Sequence, residues 1–453
     1  MAKFISSFKQ TSIGRRFISG ASWVFVGKLI SAAATLACNA LLARLLSPEE
    51  MGFYFLVFSL VSFFAIWGQW GLNRGLVKLV AAEIAVDRSD LARSGILTAF
   101  IIVSLISSLI VLFFISPLGE WLVVKISGSD VLVPLVWLLA LWIMIKAFQG
   151  IVSESFRGFH DIRLATIFGG LTTAVVSLAL YTYVWVVQGQ ATLSQVLQLV
   201  IVAAGFSLLL GLFILIRKLD KCDRGEKKPI SKIAKFGFPL FVTSVVIFGV
   251  REVHIWVLAM YQPEQEVALY GAALHLVTLL AMPLIIVNSV LPPIVAELYS
   301  QKEMKKLESV LQKTATLIGA LALAILVFLF VFGESILSVV YGESYRLAFI
   351  PLLLLCIGQF VNALTGSPGI LLTMSGHEHV VMRSAVIAGI VGVLCTIVTV
   401  QELGGVGAAL GFAVGLVLVN VFMWAYCYRK LDIATHGSLW VLLNLLREFR
   451  ARI

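Results

Sequence analysis

The sequence predicts an all-α membrane protein with about 12 transmembrane helices in two six-helix lobes. Three observations support this fold class: the composition, the placement of Lys and Arg, and an internal repeat. The 453 residues are 60% hydrophobic and only 13% charged, with a mean hydropathy of +1.02. Soluble domains carry about 25% charged residues, which excludes a soluble globule of this length. Apolar runs of about 17 to 25 residues suffice to cross a bilayer as helices, and the chain holds about 12 of them.

Basic residues predict the orientation of these helices. Most of the 34 Lys and Arg fall in segments that are cytoplasmic if the N-terminus is inside, and the outer segments hold only Arg44, Lys125 and Arg346. This bias predicts that both termini are cytoplasmic, in agreement with an even number of spans. It also explains the net charge of +10, and it indicates an anionic inner leaflet, not a nucleic acid, as the partner of the basic segments.

A strongly basic segment near the middle of the chain separates six predicted spans from the other six. We therefore predict four regions: an N-terminal lobe at residues 1–217, a basic cytoplasmic linker at 218–235, a C-terminal lobe at 236–430 and a cytoplasmic interfacial tail at 431–453. The tail mixes Trp440 and several Leu with Arg447, Arg450 and Arg452, a composition typical of helices that lie along the inner interface. An oligomer contact is the alternative role of the tail.

The two predicted lobes share short sequence patterns. Pro48-Glu49 followed by Tyr54 recurs about 215 residues later as Pro263-Glu264 followed by Tyr270. Because each half contains an even number of spans, both halves enter from the cytoplasm, and the repeat is parallel. Two such bundles predict a central cleft that alternates between inward-open and outward-open states.

Cations deep inside the predicted spans indicate the kind of cargo. Lys28, Lys146 and Arg251 lie near the middle of apolar runs, and Arg74 lies about two turns inside another, with Lys78 one turn further on. An Arg or Lys at a helix centre costs roughly 2.5–3.5 kcal/mol, so several cations facing a cleft need an anionic partner or water. A diphosphate meets that need through charge-assisted hydrogen bonds. Snorkelling to the headgroups is the alternative for Lys28, Arg74 and Lys78.

Other polar side chains within the spans are candidates for contact with sugars or for coupling. These are Asn39, Gln69, Asn73, Gln149, His254 and Asn288. Proton or sodium carriage is also open to Glu83, Glu154 and Glu252, and spacing alone does not select among them. Arg251 and Glu252 are neighbours in sequence, and adjacent helical residues point about 100° apart, so we do not expect the preferred helical ion pair between them.

Several kinds of chemistry are not supported by the sequence. The five Cys are dispersed, four within spans and Cys222 in a cytoplasmic loop, and neither a disulfide framework nor a metal-ligand spacing is present. His377, Glu378 and His379 are adjacent in a short loop and point in different directions, which argues against a metal site. No phosphate-binding loop of the Walker type occurs. The sequence therefore predicts neither a metal nor a cofactor.

The chain resembles a known family over essentially its whole length. The stretch ARLLSPEEMGFY from Ala43 to Tyr54, followed by GLNRGLVKLVAAE, carries the resemblance most clearly. It is similar to the flippases of O-antigen, capsule and exopolysaccharide repeat units in the multidrug/oligosaccharidyl-lipid/polysaccharide exporter superfamily. The resemblance implies twelve helices around a V-shaped cationic cavity. It places a diphosphate on basic residues of the first, second and seventh helices, here Lys28, Arg74 or Lys78, and Arg251.

The function that the resemblance implies is transport. Family members move undecaprenyl-diphosphate-linked oligosaccharide from the inner to the outer leaflet of the plasma membrane. The expected partners are this lipid-linked oligosaccharide and the bilayer, with a polysaccharide polymerase and a chain-length regulator as further candidates. A multidrug antiporter of the same superfamily is one alternative, although organic cations favour an acidic cavity. A membrane glycosyltransferase or ligase is another, although the predicted outer loops are short and poor in carboxylates.

Overall fold

The computed structural model describes residues 12–223, 225, 230–438, 440, 441 and 443. Regular structure within these residues is helical, and none of them lies in a strand, which confirms the predicted all-α class. Ten of the described helices are long and apolar enough to cross a membrane, and an eleventh span results if Ile233–Gly249 and Arg251–Tyr261 are counted together. The first predicted span lies in a longer helix whose Leu29–Leu45 part is a shorter apolar segment.

The helices follow the predicted spans, with three spans divided into two helices each. In chain order they are α1 (Ser12–Leu45), α2 (Pro48–Gln69), α3 (Leu72–Ile84), α4 (Ser89–Ile115), α5 (Pro117–Ser127), α6 (Val136–Gly158), α7 (Ile162–Thr166), α8 (Thr172–Gln188), α9 (Leu193–Leu219), α10 (Ile230–Tyr261), α11 (Glu264–Ser300), α12 (Met304–Tyr341), α13 (Phe349–Thr365), α14 (Pro368–Met374), α15 (Glu378–Leu403) and α16 (Gly405–Lys430). Short 3-10 helices precede α6 and α13, and a π-helical turn joins α7 to α8.

The residues form two compact units, Met1–Gly249 and Val250–Ile453, which divide inside α10. The sequence placed the division earlier, in a linker at 218–235. The first half of α10 belongs to the first unit because Trp70 holds it there. The indole Nε1 of Trp70 donates to the Ala234 carbonyl at 3.2 Å, and its ring stacks on Phe241 with the centroids 4.8 Å apart. The two six-helix lobes, bounded at the linker, remain a prediction.

The second span of the first unit is broken at the point where α10 approaches it. Trp70 and Gly71 have φ values of 49° and 71°, both in the left-handed region, so the helix stops after α2 and restarts as α3. A Cβ on Gly71 would lie 2.3 Å from the Gly237 carbonyl oxygen. Glycine is therefore required at position 71 for both its backbone conformation and this close approach. A buried apolar core lies beneath, with side chains from α3, α4, α6 and α9.

The tenth span, in the second unit, is also broken. α13 ends at Thr365, Gly366 has φ 77°, and α14 begins at Pro368. Helix ends leave backbone carbonyls without intrahelical donors. The apolar core of this unit joins α11, α12, α14 and α16 and includes Ile433, which lies beyond the last helix.

Residues 431–438 form a strap that runs from the end of α16 across α12 and α13. We call this segment the C-terminal strap. Within the strap, the Thr435 hydroxyl donates to the Thr365 carbonyl at 3.0 Å, and the Gly437 N–H donates to the Leu364 carbonyl at 2.8 Å. The strap thus satisfies two of the carbonyls at the end of α13. The predicted interfacial tail at 431–453 therefore begins with a segment packed on the second unit, and residues 439, 442 and 444–453 lie outside the described part.

The strap is also fixed along α12. The Ala434 N–H donates to the Glu308 carboxylate at 3.0 Å, and the Ser438 N–H donates to the Thr316 hydroxyl at 3.1 Å. The Trp424 indole donates to His436 Nδ1 at 2.9 Å. Backbone donors and side chains of the strap are thereby paired within one unit, as the burial of its polar groups requires.

Backbone geometry supports the internal repeat that the sequence predicted. Asp87 and Lys302, about 215 residues apart, both have left-handed φ values, 57° and 58°, in the turns after α3 and α11. In each turn a backbone N–H donates to the carbonyl five residues earlier. Arg88 donates to Glu83 and Glu303 donates to Leu298, both at 3.0 Å. Two non-glycine residues in the left-handed region at matching positions are uncommon, so the shared turn indicates a common ancestral unit.

A pair of carboxylates repeats in the same way. Glu50 is the third residue of α2, and its Oε1 accepts the N–H of Leu193, the first residue of α9, at 3.0 Å. Glu266 is the third residue of α11, and its Oε2 accepts the N–H of Gly405, the first residue of α16, at 2.8 Å. First-turn carboxylates in each unit therefore cap a second helix, in addition to complementing the dipole of their own helix.

We expect Glu266→Ala to lower the free energy of unfolding of the second unit by about 1–3 kcal/mol, because the Gly405 N–H loses a charged acceptor. Glu264→Ala is the matched control, since Glu264 lies in the same first turn and makes no such cap. Thermal unfolding of the detergent-solubilised protein measures both. Equal losses for the two variants would contradict the proposed capping role.

Candidate functional site

The predicted diphosphate residues of the first unit lie on α1 and α3. Lys28 is on α1 and Arg74 on α3, but the side chains of both lie outside the described part. Lys78, one turn beyond Arg74, is exposed. Their role in binding a diphosphate stays a prediction.

Lys146, on α6, lies in a pocket within the first unit. Its Nζ donates to the Ser62 hydroxyl at 2.5 Å and lies 4.1 Å from the centre of the Phe58 ring and 5.9 Å from that of Trp142. Cation–π contact and a hydroxyl acceptor stabilise an ammonium group away from bulk water. These contacts assign Lys146 an intramolecular role, and its predicted contact with a diphosphate stays untested.

The polar candidates of the first unit differ in whether their donors and acceptors already have partners within the unit. The Gln149 amide donates to the Thr173 hydroxyl at 2.9 Å and to the Ala204 carbonyl at 3.0 Å, which joins α6 to α8 and α9. Gln69 is buried against Gly150, where a Cβ would lie 2.2 Å from its Nε2. Both side chains therefore have packing roles that the sequence did not indicate.

Asn39 and Asn73 are the polar candidates with hydrogen-bonding capacity left over. The Asn39 Nδ2 and the Asn73 Oδ1 are buried, and neither has a hydrogen-bond partner in the described chain. Unpaired buried polar atoms are costly, and native proteins usually satisfy them with water or a ligand. These two amides are therefore the stronger candidates of the first unit for a polar ligand.

Arg251, in the second half of α10, is the basic candidate of the second unit. Its side chain is 54% exposed, and its Nε lies 3.9 Å from Oε1 of Glu252, whose side chain is only 15% exposed. The 3.9 Å separation lies at the outer limit of an ion pair, and these adjacent helical residues do not make the closer, preferred helical contact. The distance is too great for a hydrogen bond, so the guanidinium donors stay unused by Glu252.

His254, one turn further along α10, is 2% exposed. Its Nδ1 lies 2.7 Å from the Thr396 hydroxyl, which itself donates to the Gly392 carbonyl at 3.2 Å. Since a hydroxyl has a single proton, Thr396 accepts from His254 Nδ1–H in this arrangement. The ring edge contacts Phe412. His254 therefore joins α10 to α15 and α16, and a role in sugar contact or coupling stays a prediction.

Asn288 lies on α11 beside the break in the tenth span. Its Oδ1 accepts a hydrogen bond from the Ser367 hydroxyl at 2.6 Å. Ser367 is the residue between Gly366 and the first residue of α14. Asn288 thus supports the broken backbone, and its Nδ2 donors are still compatible with a ligand.

No group of three or more His, Cys, Asp or Glu that could hold a metal occurs among the described residues. His377 Nδ1 lies 3.0 Å from the Ser375 hydroxyl, and its ring packs near Tyr426. The five Cys are free thiols. Burial raises the pKa of Cys222 in the loop after α9, an effect partly offset by the nearby positive charges of Arg93 and Lys218.

Two partner side chains in these sites were not predicted from the sequence. The Ser62 hydroxyl accepts from Lys146 Nζ, and the Thr396 hydroxyl bonds to His254 Nδ1. A hydroxyl in the middle of an apolar helix is a weak signal, because most such hydroxyls bond their own helix backbone. The partners lie 84 and 142 residues away in the chain, so only the folded structure reveals the pairs.

Ten or more apolar helices among the described residues, with buried polar groups inside each unit, identify a multi-pass membrane protein. Comparison with known proteins supports this class. The model of the family "Polysaccharide biosynthesis protein" matches residues 41–350, and the chain belongs to that family. A relative from Haloferax volcanii, the probable low-salt glycan biosynthesis flippase Agl15, is 25% identical over 423 residues, which cover 91% of this chain and 85% of the relative.

Solved structures share the fold at low sequence identity. An inward-facing multidrug resistance MATE family transporter of the MOP superfamily matches with a TM-score of 0.76 and 14% identity, over 89% of this chain and 94% of that one. The lipid II flippase MurJ in an inward closed conformation matches with a TM-score of 0.72 and 14% identity, over 93% of this chain and 89% of the other. The fold is thus that of MOP-superfamily transporters, as the sequence predicted.

Proposed function

We propose that this protein is a flippase that moves undecaprenyl-diphosphate-linked oligosaccharide from the inner to the outer leaflet of the plasma membrane, for surface polysaccharide biosynthesis. Arg251 carries the proposal: it is a cation within an apolar helix, its side chain is half exposed, and Glu252 takes none of its hydrogen-bond donors. Membership in the polysaccharide biosynthesis family and similarity to a glycan biosynthesis flippase support the same cargo.

The proposed chemistry is recognition without covalent change. Arg251 binds the diphosphate through charge-assisted hydrogen bonds, which a guanidinium can make in pairs to phosphate oxygens. In the first unit, Lys28, Arg74 and Lys78 are proposed as further contacts for the diphosphate, and Asn39 and Asn73 as contacts for sugars. The polyprenyl tail stays in the lipid phase, so only the polar head crosses a polar path. The two units are proposed to alternate access to the two sides of the membrane.

We propose that the membrane potential supplies energy for this transport. A diphosphate carries negative charge outward, and in an inside-negative membrane that movement releases about 2.3 kcal/mol per charge for each 100 mV. Only net charge counts toward this free energy, so any counter-ion that moves outward together with the diphosphate reduces the amount released. The proposed partners at the outer face are a polysaccharide polymerase and a chain-length regulator, which consume the translocated units.

A multidrug antiporter is the second candidate, favoured by the TM-score of 0.76 to a multidrug transporter. Organic cations are stabilised by carboxylates and aromatic faces. The exposed charge on α10 is an arginine, and the aromatic pocket of α6 is occupied by Lys146. Both arrangements repel a cation, so we favour the anionic cargo.

Reconstitution tests the proposed function. The purified protein is placed in liposomes with a polyprenyl-diphosphate-linked disaccharide in one leaflet, and its appearance in the other leaflet is followed with an impermeant lectin. We expect transfer well above that of protein-free liposomes, and faster transfer when a potential favours outward movement of negative charge. Export of a fluorescent organic cation without transfer of the disaccharide lipid would instead support the multidrug antiporter.

A further inference from the structure

The carboxylate of Glu252 lies beside the one exposed guanidinium that the described part of α10 presents, and this placement has a consequence for selectivity. We propose that Glu252 is a specificity-determining residue that prevents Arg251 from binding singly charged phosphodiesters, the headgroup chemistry of anionic phospholipids. The inference rests on the proposed function, because it concerns the discrimination of a diphosphate cargo from the lipids that surround it.

The geometry makes Glu252 a competitor and not a permanent partner. Its Oε1 is 3.9 Å from Arg251 Nε, within the range of an ion pair but beyond that of a hydrogen bond. The Glu252 side chain is mostly buried and the Arg251 side chain is half exposed, so an incoming anion meets the guanidinium first. The negative charge stays close behind the guanidinium throughout binding.

Charge counting explains why such a pair discriminates. The Glu252 carboxylate opposes any anion at Arg251, so a phosphodiester with a single negative charge gains less from the guanidinium than it would from an arginine with no carboxylate beside it. A diphosphate diester carries two charges and offers more acceptor oxygens, so its bidentate contact to the guanidinium outweighs the repulsion. Like-charge juxtaposition is a common means of rejecting wrong partners. A bilayer rich in anionic phospholipid makes this rejection necessary.

The test compares two probes in the same proteoliposomes: the polyprenyl-diphosphate-linked disaccharide and a fluorescent phosphatidylglycerol. We expect Glu252→Gln to lower the ratio of disaccharide-lipid transfer to phosphatidylglycerol transfer by about tenfold, because one repelling charge is removed at close range. Glu343→Gln is the matched control, since Glu343 pairs with Arg346 at 3.1 Å in the same unit. It is expected to leave the ratio unchanged, and Glu252→Ala provides a second variant that shifts it.

A binding measurement separates this inference from the proposed function. Binding of the fluorescent phosphatidylglycerol to detergent-solubilised protein is expected to be about tenfold tighter in Glu252→Gln than in wild type, and to weaken again in the double variant with Arg251→Ala. If the wild type moves the disaccharide lipid but Glu252→Gln changes neither the ratio nor the binding, the selectivity inference is wrong and the flippase proposal stands. If the wild type fails to move the disaccharide lipid, the flippase proposal is wrong, and the binding comparison alone decides the role of Glu252.

Discussion

Arg251→Ala is expected to abolish surface glycan while the protein remains at normal abundance in the membrane. The change removes the guanidinium that we propose for the diphosphate, and truncating one member of a hydrogen-bonded charge pair costs about 2–5 kcal/mol of binding. That cost corresponds to a loss of at least about thirtyfold in affinity. The measurement combines a gel of surface polysaccharide with an immunoblot of the membrane fraction, and the proteoliposome assay gives the transfer rate directly.

Arg346→Ala is the matched control for this experiment. Its side chain is also 54% exposed, and it pairs with a nearby carboxylate in the same unit, but it lies in the short helix at the start of the span Glu343–Thr365 and not in α10. We expect glycan to be exported normally in this variant. Arg251→Lys should retain part of the activity, because a lysine keeps the charge and loses the planar fork. Unchanged glycan export in Arg251→Ala would count heavily against the proposed diphosphate site.

The fold class could be predicted from the sequence because composition and periodicity act over the whole chain. A few misjudged residues do not alter the number of long apolar runs, and the recurrence of Pro48-Glu49 as Pro263-Glu264 marks the repeat. The breaks inside spans were not predicted. Trp70 takes a left-handed conformation that its residue type disfavours, and only its contacts with Ala234 and Phe241 explain why that conformation is stable.

The candidate site was less predictable, because a charge within a span can be used in several ways. Lys146 and Arg251 look alike in sequence, each a cation near the middle of an apolar run. In the structure Lys146 is enclosed by Phe58 and Ser62, whereas Arg251 is half exposed. The difference depends on which neighbouring helix supplies a hydroxyl or a ring at that level, and no pattern local to α6 or α10 carries this information.

Removal of the C-terminal strap is expected to destabilise the second unit strongly. A chain that ends at Lys430 loses the donors to the Leu364 and Thr365 carbonyls and the buried side chain of Ile433. Two net hydrogen bonds of about 1 kcal/mol each and about 2 kcal/mol for the buried isoleucine give a loss of about 4 kcal/mol. For a unit of this size the midpoint of thermal unfolding should fall by about 8–16 °C. Size-exclusion chromatography after heating in detergent measures the shift.

A chain that ends at Ser438 is the control, because it keeps the whole strap and should unfold near the wild-type temperature. Thr435→Val removes only the bond to Thr365 and should cost about 1 kcal/mol. The effect follows from an asymmetry between the repeats: α6 of the first unit is continuous over Val136–Gly158, whereas the tenth span is divided at Gly366. A divided span leaves carbonyls without intrahelical donors, and the strap supplies donors to two of them. If the chains ending at Lys430 and Ser438 unfold at the same temperature, the end of α13 must be satisfied in another way.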